Sequence, residues 1–385
     1  MRGILVGDIH IDNVKTSIAN SDSFTEVFQL FDLIRNTIYK EKPDFTIFFG
    51  DIFNSPNSIT SSVISIVSKL IAEIALDTSV LFIVGNHDDV DNRVSIVRVG
   101  DRDIKIRASL LAPFAHYQNV VVFDSPKVVK IQDGIEVAFI PYNTNIYPYL
   151  NEANKKFSIG TKRILMGHFD IAQTYYMQGY KKEDFANIPT AEELVRKYKY
   201  DLVLLGHVHD PYEYIVDGKK VMYIGSSRNV DFRNAGENKG LYILDFDNFK
   251  MEYIDNPYTY IYKIFNKFEE LEYYCKNNEL EKLSRTKILY KYSNAKEVRK
   301  ISKLKEFFKS IKFVKSSKSN ELDQTSLSAI HEFEELLANN LLTDDKLIEY
   351  ALQFKEPPTN KNDALNIIKY IKRRWVKIWK IFFLN

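Results

Sequence analysis

Five short stretches of this 385-residue chain carry side chains suited to chemistry, and all five share one form. "ILVGDIH" (4–10), "FTIFFGD" (45–51), "LFIVGNHD" (81–88), "ILMGH" (164–168) and "LVLLGHVH" (202–209) each run an apolar segment into a glycine followed by Asp, Asn or His. Five of the seven histidines, His10, His87, His168, His207 and His209, fall in these stretches, and only His116 and His331 lie elsewhere. A lone histidine is more often a satisfied core or surface residue than a ligand. Five of them at the same kind of strand end do not arise by scatter.

Asp8, His10, Asp51, Asn86, His168, His207 and His209 form a mixed oxygen and nitrogen set without a thiolate. Such a set suits Mn, Zn or Fe better than Ca, Mg or a structural zinc knot. Seven ligands exceed what one ion takes, so two ions sharing a bridging carboxylate is the economical arrangement. Two ions about 3.5–4 Å apart stabilise both the attacking and the leaving oxygens of a phosphoryl displacement and activate water near neutral pH. Phosphoester hydrolysis is the reaction class that uses this. His87 is left over as a catalytic candidate, to protonate the leaving oxygen or steady the charged transition state. Asp88 is the candidate to orient its ring, and a loop-capping role for Asp88 is equally open.

The elements that must position these residues are short apolar strands separated by helix-compatible segments at 24–40, 58–76 and 190–198, an α/β pattern of buried strands. Ligands in such sheets collect beyond the carboxyl ends of the strands. Glycine lets the backbone turn there. In an extended segment residues i and i+2 share a side, so His207 and His209 face the cleft while Val208 packs away. The length allows two or three domains, and 45% hydrophobic residues suit a sizeable core. A single cysteine, Cys275, excludes an internal disulfide framework, and the first residues lack a secretory apolar region. No apolar stretch reaches the roughly 20 residues of a membrane helix. A soluble, cytoplasmic protein without membrane contact is expected.

Taken in order, D-x-H at Asp8 and His10, G-D at Asp51, G-N-H-D at 85–88, G-H at His168 and G-H-x-H at His207 and His209 resemble the calcineurin-like metallophosphoesterase superfamily. The resemblance covers about residues 1–255 and implies a two-layered β-sandwich flanked by helices. It implies one metal on Asp8, His10 and His209, another on Asn86, His168 and His207, and Asp51 as the bridge. "GDIFNSPNS", "GNHD" and the stretch "YIGSSRNVDFRNAGENKGLYILDFD" (223–247) are similar to the SbcD-type double-strand-break repair nucleases, including their phage counterparts. That branch implies two Mn²⁺, with Mg²⁺, Zn²⁺ or Fe²⁺ as alternatives, and DNA as substrate. Asn54 replaces the histidine or aspartate that relatives place three residues after the bridge. It cannot transfer a proton but can hydrogen-bond. Asn54 and Arg228 are the candidate substrate contacts.

Net charge is only +2, yet 28 basic face 34 acidic residues in 1–260 and 25 face 17 in 261–385. The expected organisation is a nuclease domain over 1–257, a small α/β capping domain over 258–318 and a helical partner-binding segment over 319–385. Between Lys282 and Lys318 stand 13 Lys or Arg and two acids, a density that fits a phosphate-backbone footprint or a solvated face. The resemblance implies that the cap guides DNA. The final segment (363–384) sets Ala364, Ile368, Ile371, Trp375, Ile378, Trp379 and Phe382 on one helical stripe that must dock on something. Its own domain is one partner. The resemblance implies another, the coiled coil of an SbcC-type ABC ATPase. It also implies a homodimer through helices at about 58–76 and 92–111.

Three functions compete: a Mn-dependent DNA nuclease, with double-strand 3'-5' exonuclease and single-strand endonuclease activity; a small-molecule phosphodiesterase or phosphoprotein phosphatase; and a scaffold with a vestigial metal site. The second leaves the last 125 residues without a task, and the third is expected to have lost ligands.

Overall fold

The computed structural model describes residues 1–12, 22–57, 59–100, 102–176, 187–230, 239–292 and 307–315, with isolated positions at 232, 298, 301, 302 and 304. The 363–384 helix and the rest of the partner-binding segment expected over 319–385 therefore lie outside the described residues. Residues Met1–Ser316 make one compact unit.

The chain begins with β1 (Arg2–Val6), helix α1 (Asp22–Glu41), β2 (Phe45–Phe48), helix α2 (Ser61–Ile74) and β3 (Ser79–Ile83). A hairpin of β4 (Asp89–Val99) and β5 (Arg102–Ser109) follows, then β6 (Val120–Phe123). Next come β7 (Lys127–Gln132), β8 (Ile135–Ile140), helix α3 (Tyr147–Asn154), β9 (Lys162–His168) and β10 (Leu202–Gly206). The strands β11 (Tyr212–Val216), β12 (Lys219–Tyr223), β13 (Gly240–Asp245) and β14 (Met251–Asp255) complete two six-stranded sheets. Their orders are β14-β13-β1-β2-β3-β6 and β11-β12-β10-β9-β8-β7. Four strands of each sheet run parallel, and antiparallel strands close the remaining edges.

The continuous apolar runs are explained by two buried faces per strand. In β1, Ile4 and Val6 pack against α1 and α2 while Leu5 enters the space between the sheets. β10 repeats the alternation, Val203 and Leu205 facing the α3 side and Leu202 and Leu204 the interior. Phe123 and Phe139 stack across the interface with ring centroids 4.1 Å apart. The expected sandwich flanked by helices is what forms.

Residues 190–198, expected as a helix, are helical over 191–197, the last turn of it a π-helical turn at Glu193–Lys197. Its start is a capping box: Glu193 N–H donates to Thr190 Oγ1 and Thr190 N–H to Glu193 Oε2. One expectation fails. Residues 92–111 do not form a dimer helix; they lie mostly in the β4–β5 hairpin, with Val94 opposite Arg107 and Val99 opposite Arg102. In α2, Val63, Val67, Leu70, Ile71 and Ile74 are committed to the core.

After Asn256 the chain forms β15 (Ile261–Phe265), a helix at Phe268–Lys276, β16 (Thr286–Tyr292) and β17 (Ser310–Lys315), a parallel three-stranded sheet. It has its own core of Phe265, Leu271, Leu283, Ile288, Tyr290, Ile301 and Phe308. Among the described residues no helix is long and apolar enough to cross a membrane.

Candidate metal centre

The five motif loops meet beyond the carboxyl ends of β1, β2, β3, β9 and β10. The loops after β1 and β2 run side by side, with Ile9 and His10 N–H both donating to the Asp51 carbonyl and Asn54 N–H to the Ile11 carbonyl. His10, Asp51 and His207 hold φ of 52°, 50° and 85°. Left-handed backbone costs a non-glycine residue about 1–3 kcal/mol and persists only where the surroundings over-determine it. His207 and His209 thus face the cleft from a loop opened by a left-handed residue, not from the extended segment expected. Val208 does pack away, against the α3-side core.

Glycine is required mainly for closeness. Only Gly50 of the five motif glycines has a positive φ, 94°. A Cβ on Gly85 would stand 2.2 Å from Asp51 Oδ1.

Two knots of ligand atoms result. In the first, Nε2 of His10 and Nε2 of His209 are 2.9 Å apart, and Asp8 Oδ2 is 3.9 Å from His209 Nε2. In the second, Asn86 Oδ1 lies 3.0 Å from both His168 Nε2 and His207 Nδ1, themselves 3.3 Å apart. Asp51 Oδ2 stands between the knots, 3.5 Å from His10 Nε2 and 3.4 Å from His168 Nε2.

The outward ring nitrogens decide whether this set fits cations. A carbonyl can only accept, so the 2.6 Å contact of His168 Nδ1 with the Phe49 carbonyl fixes the proton on Nδ1 and turns a lone pair at Nε2 inward. His207 Nε2 is 3.1 Å from Asp170 Oδ2, which likewise leaves Nδ1 to face the knot. His10 Nδ1 is buried without a hydrogen-bond partner. Lone pairs and carboxylates converging in a buried place repel one another unless a positive charge joins them.

The ionisation equilibria show the same strain. Burial lifts the Asp8 carboxyl to about 7 against the pull of His168. Burial also opposes charge on His168, but the Asp51 and Asp8 carboxylates outweigh it and raise the ring to about 10. Asp51 is lowered: burial works against its charge and the surrounding imidazoles, His168 first, overcome that. Burial lowers His10. Protons do here what cations are suited to do.

All seven candidate ligands are therefore brought together. His87, half-buried, borders the first knot, its ring 4.8 Å from that of His10. Its Nδ1 lies 2.6 Å from the Asn54 carbonyl, which can only accept, so the Nδ1 proton is tied there and Nε2 is the ring nitrogen left over. Two expectations change. Asp88 does not orient His87; its carboxylate accepts the N–H groups of Ile52, Phe53 and Gly85, a loop cap. Asn54 holds His87 through its backbone carbonyl, a contact that leaves its half-buried side chain unused. Arg228 is 6% exposed, and its guanidinium donates to the Ile9 and His10 carbonyls and to Glu26, so it is turned away from a substrate.

Sequence reasoning missed Asp170 and Tyr142. Asp170 stands two residues after His168, a D-after-H spacing that offered a signal. Tyr142, whose ring lies 5.6 Å from that of His207, follows β8 without the glycine that marked the other loops.

Comparison with known proteins finds relatives of this chain. Exonuclease subunit 1 of Enterobacteria phage T4 is 24% identical over 281 residues, 70% of this chain and 72% of that one. A solved structure described as a novel archaeal phosphodiesterase overlaps 66% of this chain and 99% of its own at 14% identity and a TM-score of 0.34. The family model for calcineurin-like phosphoesterases matches residues 1–211, more than half of the chain. That span holds all seven candidate ligands, His87 and Asp170, and the chain belongs to the calcineurin-like phosphoesterase family.

Proposed function

We propose that this protein is a Mn²⁺-dependent DNA nuclease, a two-ion phosphodiesterase acting in DNA end processing, recombination and repair. The observation that carries it is the pair of ligand knots bridged by Asp51 Oδ2, with His87 beside them. Two divalent cations there would neutralise the phosphodiester and activate water. Asp8, His10 and His209 would hold one and Asn86, His168 and His207 the other. His87, with Nδ1 donating to the Asn54 carbonyl, would turn Nε2 to the leaving oxygen and, as the imidazolium, give it a proton.

DNA as substrate is supported by two things. The similarity to the phage exonuclease subunit spans 281 residues, longer than the 211 matched by the family model. The segment beyond the phosphoesterase sheets is basic, and Lys291 and Lys312 are exposed on β16 and β17. An SbcC-type ATPase would dock on the carboxyl-terminal segment, and the complex would act in the cytoplasm. A homodimer belongs to the same proposal, with α2 as the helix available for it; light scattering should then give twice 44.9 kDa.

The test is hydrolysis of end-labelled linear duplex with Mn²⁺ and with Mg²⁺, with a small phosphodiester alongside. Cleavage of the duplex in Mn²⁺ is expected. Turnover of the small phosphodiester with intact duplex would favour a small-molecule phosphodiesterase.

A further inference from the structure

The centre's ligands come from five loops, but the backbone of two is held by a segment that supplies none. Ser227 Oγ donates to the Gly7 carbonyl at 2.9 Å and Ser227 N–H to the Asp8 carbonyl at 3.2 Å. Arg228 continues the row, Nε to the Ile9 carbonyl and Nη2 to the His10 carbonyl, both at 2.7 Å. Ser226 N–H donates to the His209 carbonyl at 2.9 Å. All five acceptors lie in the loops bearing Asp8, His10 and His209. His10 has the left-handed backbone that needs external support.

The third arm of Arg228 leads elsewhere. Nη1 pairs with Oε2 of Glu26 at 2.9 Å, and Glu26 is wholly buried on α1. Its Oε1 accepts Tyr260 N–H at 2.7 Å and Thr259 Oγ1 at 3.1 Å. Those two residues lead directly into β15. A buried ion pair survives its desolvation cost only when its remaining hydrogen-bonding capacity is also used. Here that capacity is spent on a ligand loop at one end and on the root of the three-stranded sheet at the other.

We propose that Arg228 is a positioning residue for the ion site of Asp8, His10 and His209, and not for that of Asn86, His168 and His207. Through Glu26 that half of the centre depends on how residues 259–260, and with them the appended sheet, are seated. The inference rests on the two-ion reading above.

The test is calorimetric Mn²⁺ titration of the full chain with electron paramagnetic resonance of the same samples, and thermal melts to establish folding. Arg228→Lys keeps the charge facing Glu26 but removes the fork. The wild type should bind two ions with an exchange-coupled spectrum. Folded Arg228→Lys should bind one ion normally and the other about 10–100-fold more weakly, as loss of a group that orients ligands does, with the signal of isolated Mn²⁺. Added to His168→Ala it should weaken the remaining ion; added to His209→Ala it should change little. Should Arg228→Lys not fold, Glu26→Gln provides the same reading. Wild-type affinity at both sites, or equal loss at both, would overturn the proposal. A wild type that binds one ion would instead contradict the two-ion reading.

Discussion

His207 and His209 stand one residue apart and turn to opposite halves of the cluster, His207 Nδ1 to Asn86 and His168, His209 Nε2 to His10. Each single change to alanine should therefore weaken a different Mn²⁺. With His207→Ala the ion retained should still depend on His10, and with His209→Ala on His168, which double variants read by titration. The convergence of all seven candidate ligands was legible in the sequence because each stands in a loop that a glycine opens at the end of an apolar run. The supporting residues were not. Arg228 and Asp170 act on loops distant in the chain, and only the packed sheets bring them there. Asp88 offered two roles, and its three backbone donors decided for the cap.

At the scale of elements, the strands were legible because both of their faces are buried, which writes an unbroken apolar run. The β4–β5 hairpin was misjudged from resemblance, although "RVSIVRVGDRDIKI" alternates as a strand pair should about a turn at Gly100, whose φ is 61°. A prediction concerns the joint between β8 and β9. Glu136 accepts Ser158 N–H, Ser158 Oγ and Thr161 Oγ1. Burial opposes its charge, but these donors prevail and hold the carboxyl below its usual 4.5. A depressed folded value means the stabilisation is complete above about 4.5 and is lost as pH falls through the folded value. Glu136→Gln should cost about 1–2 kcal/mol at neutral pH, and urea melts should show the difference vanish toward acid. An equal difference at all pH values would contradict it.

At the scale of the whole molecule, two sheets share one interior and bring five strand ends to one edge, while a separate three-stranded sheet is tied to the same edge through Glu26. That connection was invisible in the sequence, where Glu26 and Tyr260 are 234 residues apart. If the bridged knots cleave DNA and His87 acts on the substrate without holding metal, bound Mn²⁺ and cleavage of end-labelled duplex should part company in one His87→Ala sample. Two ions should be retained and cleavage reduced by about 10²–10⁴-fold relative to wild type. Undiminished cleavage by His87→Ala, or a wild-type protein that leaves duplex DNA intact with both ions bound, would contradict this reading.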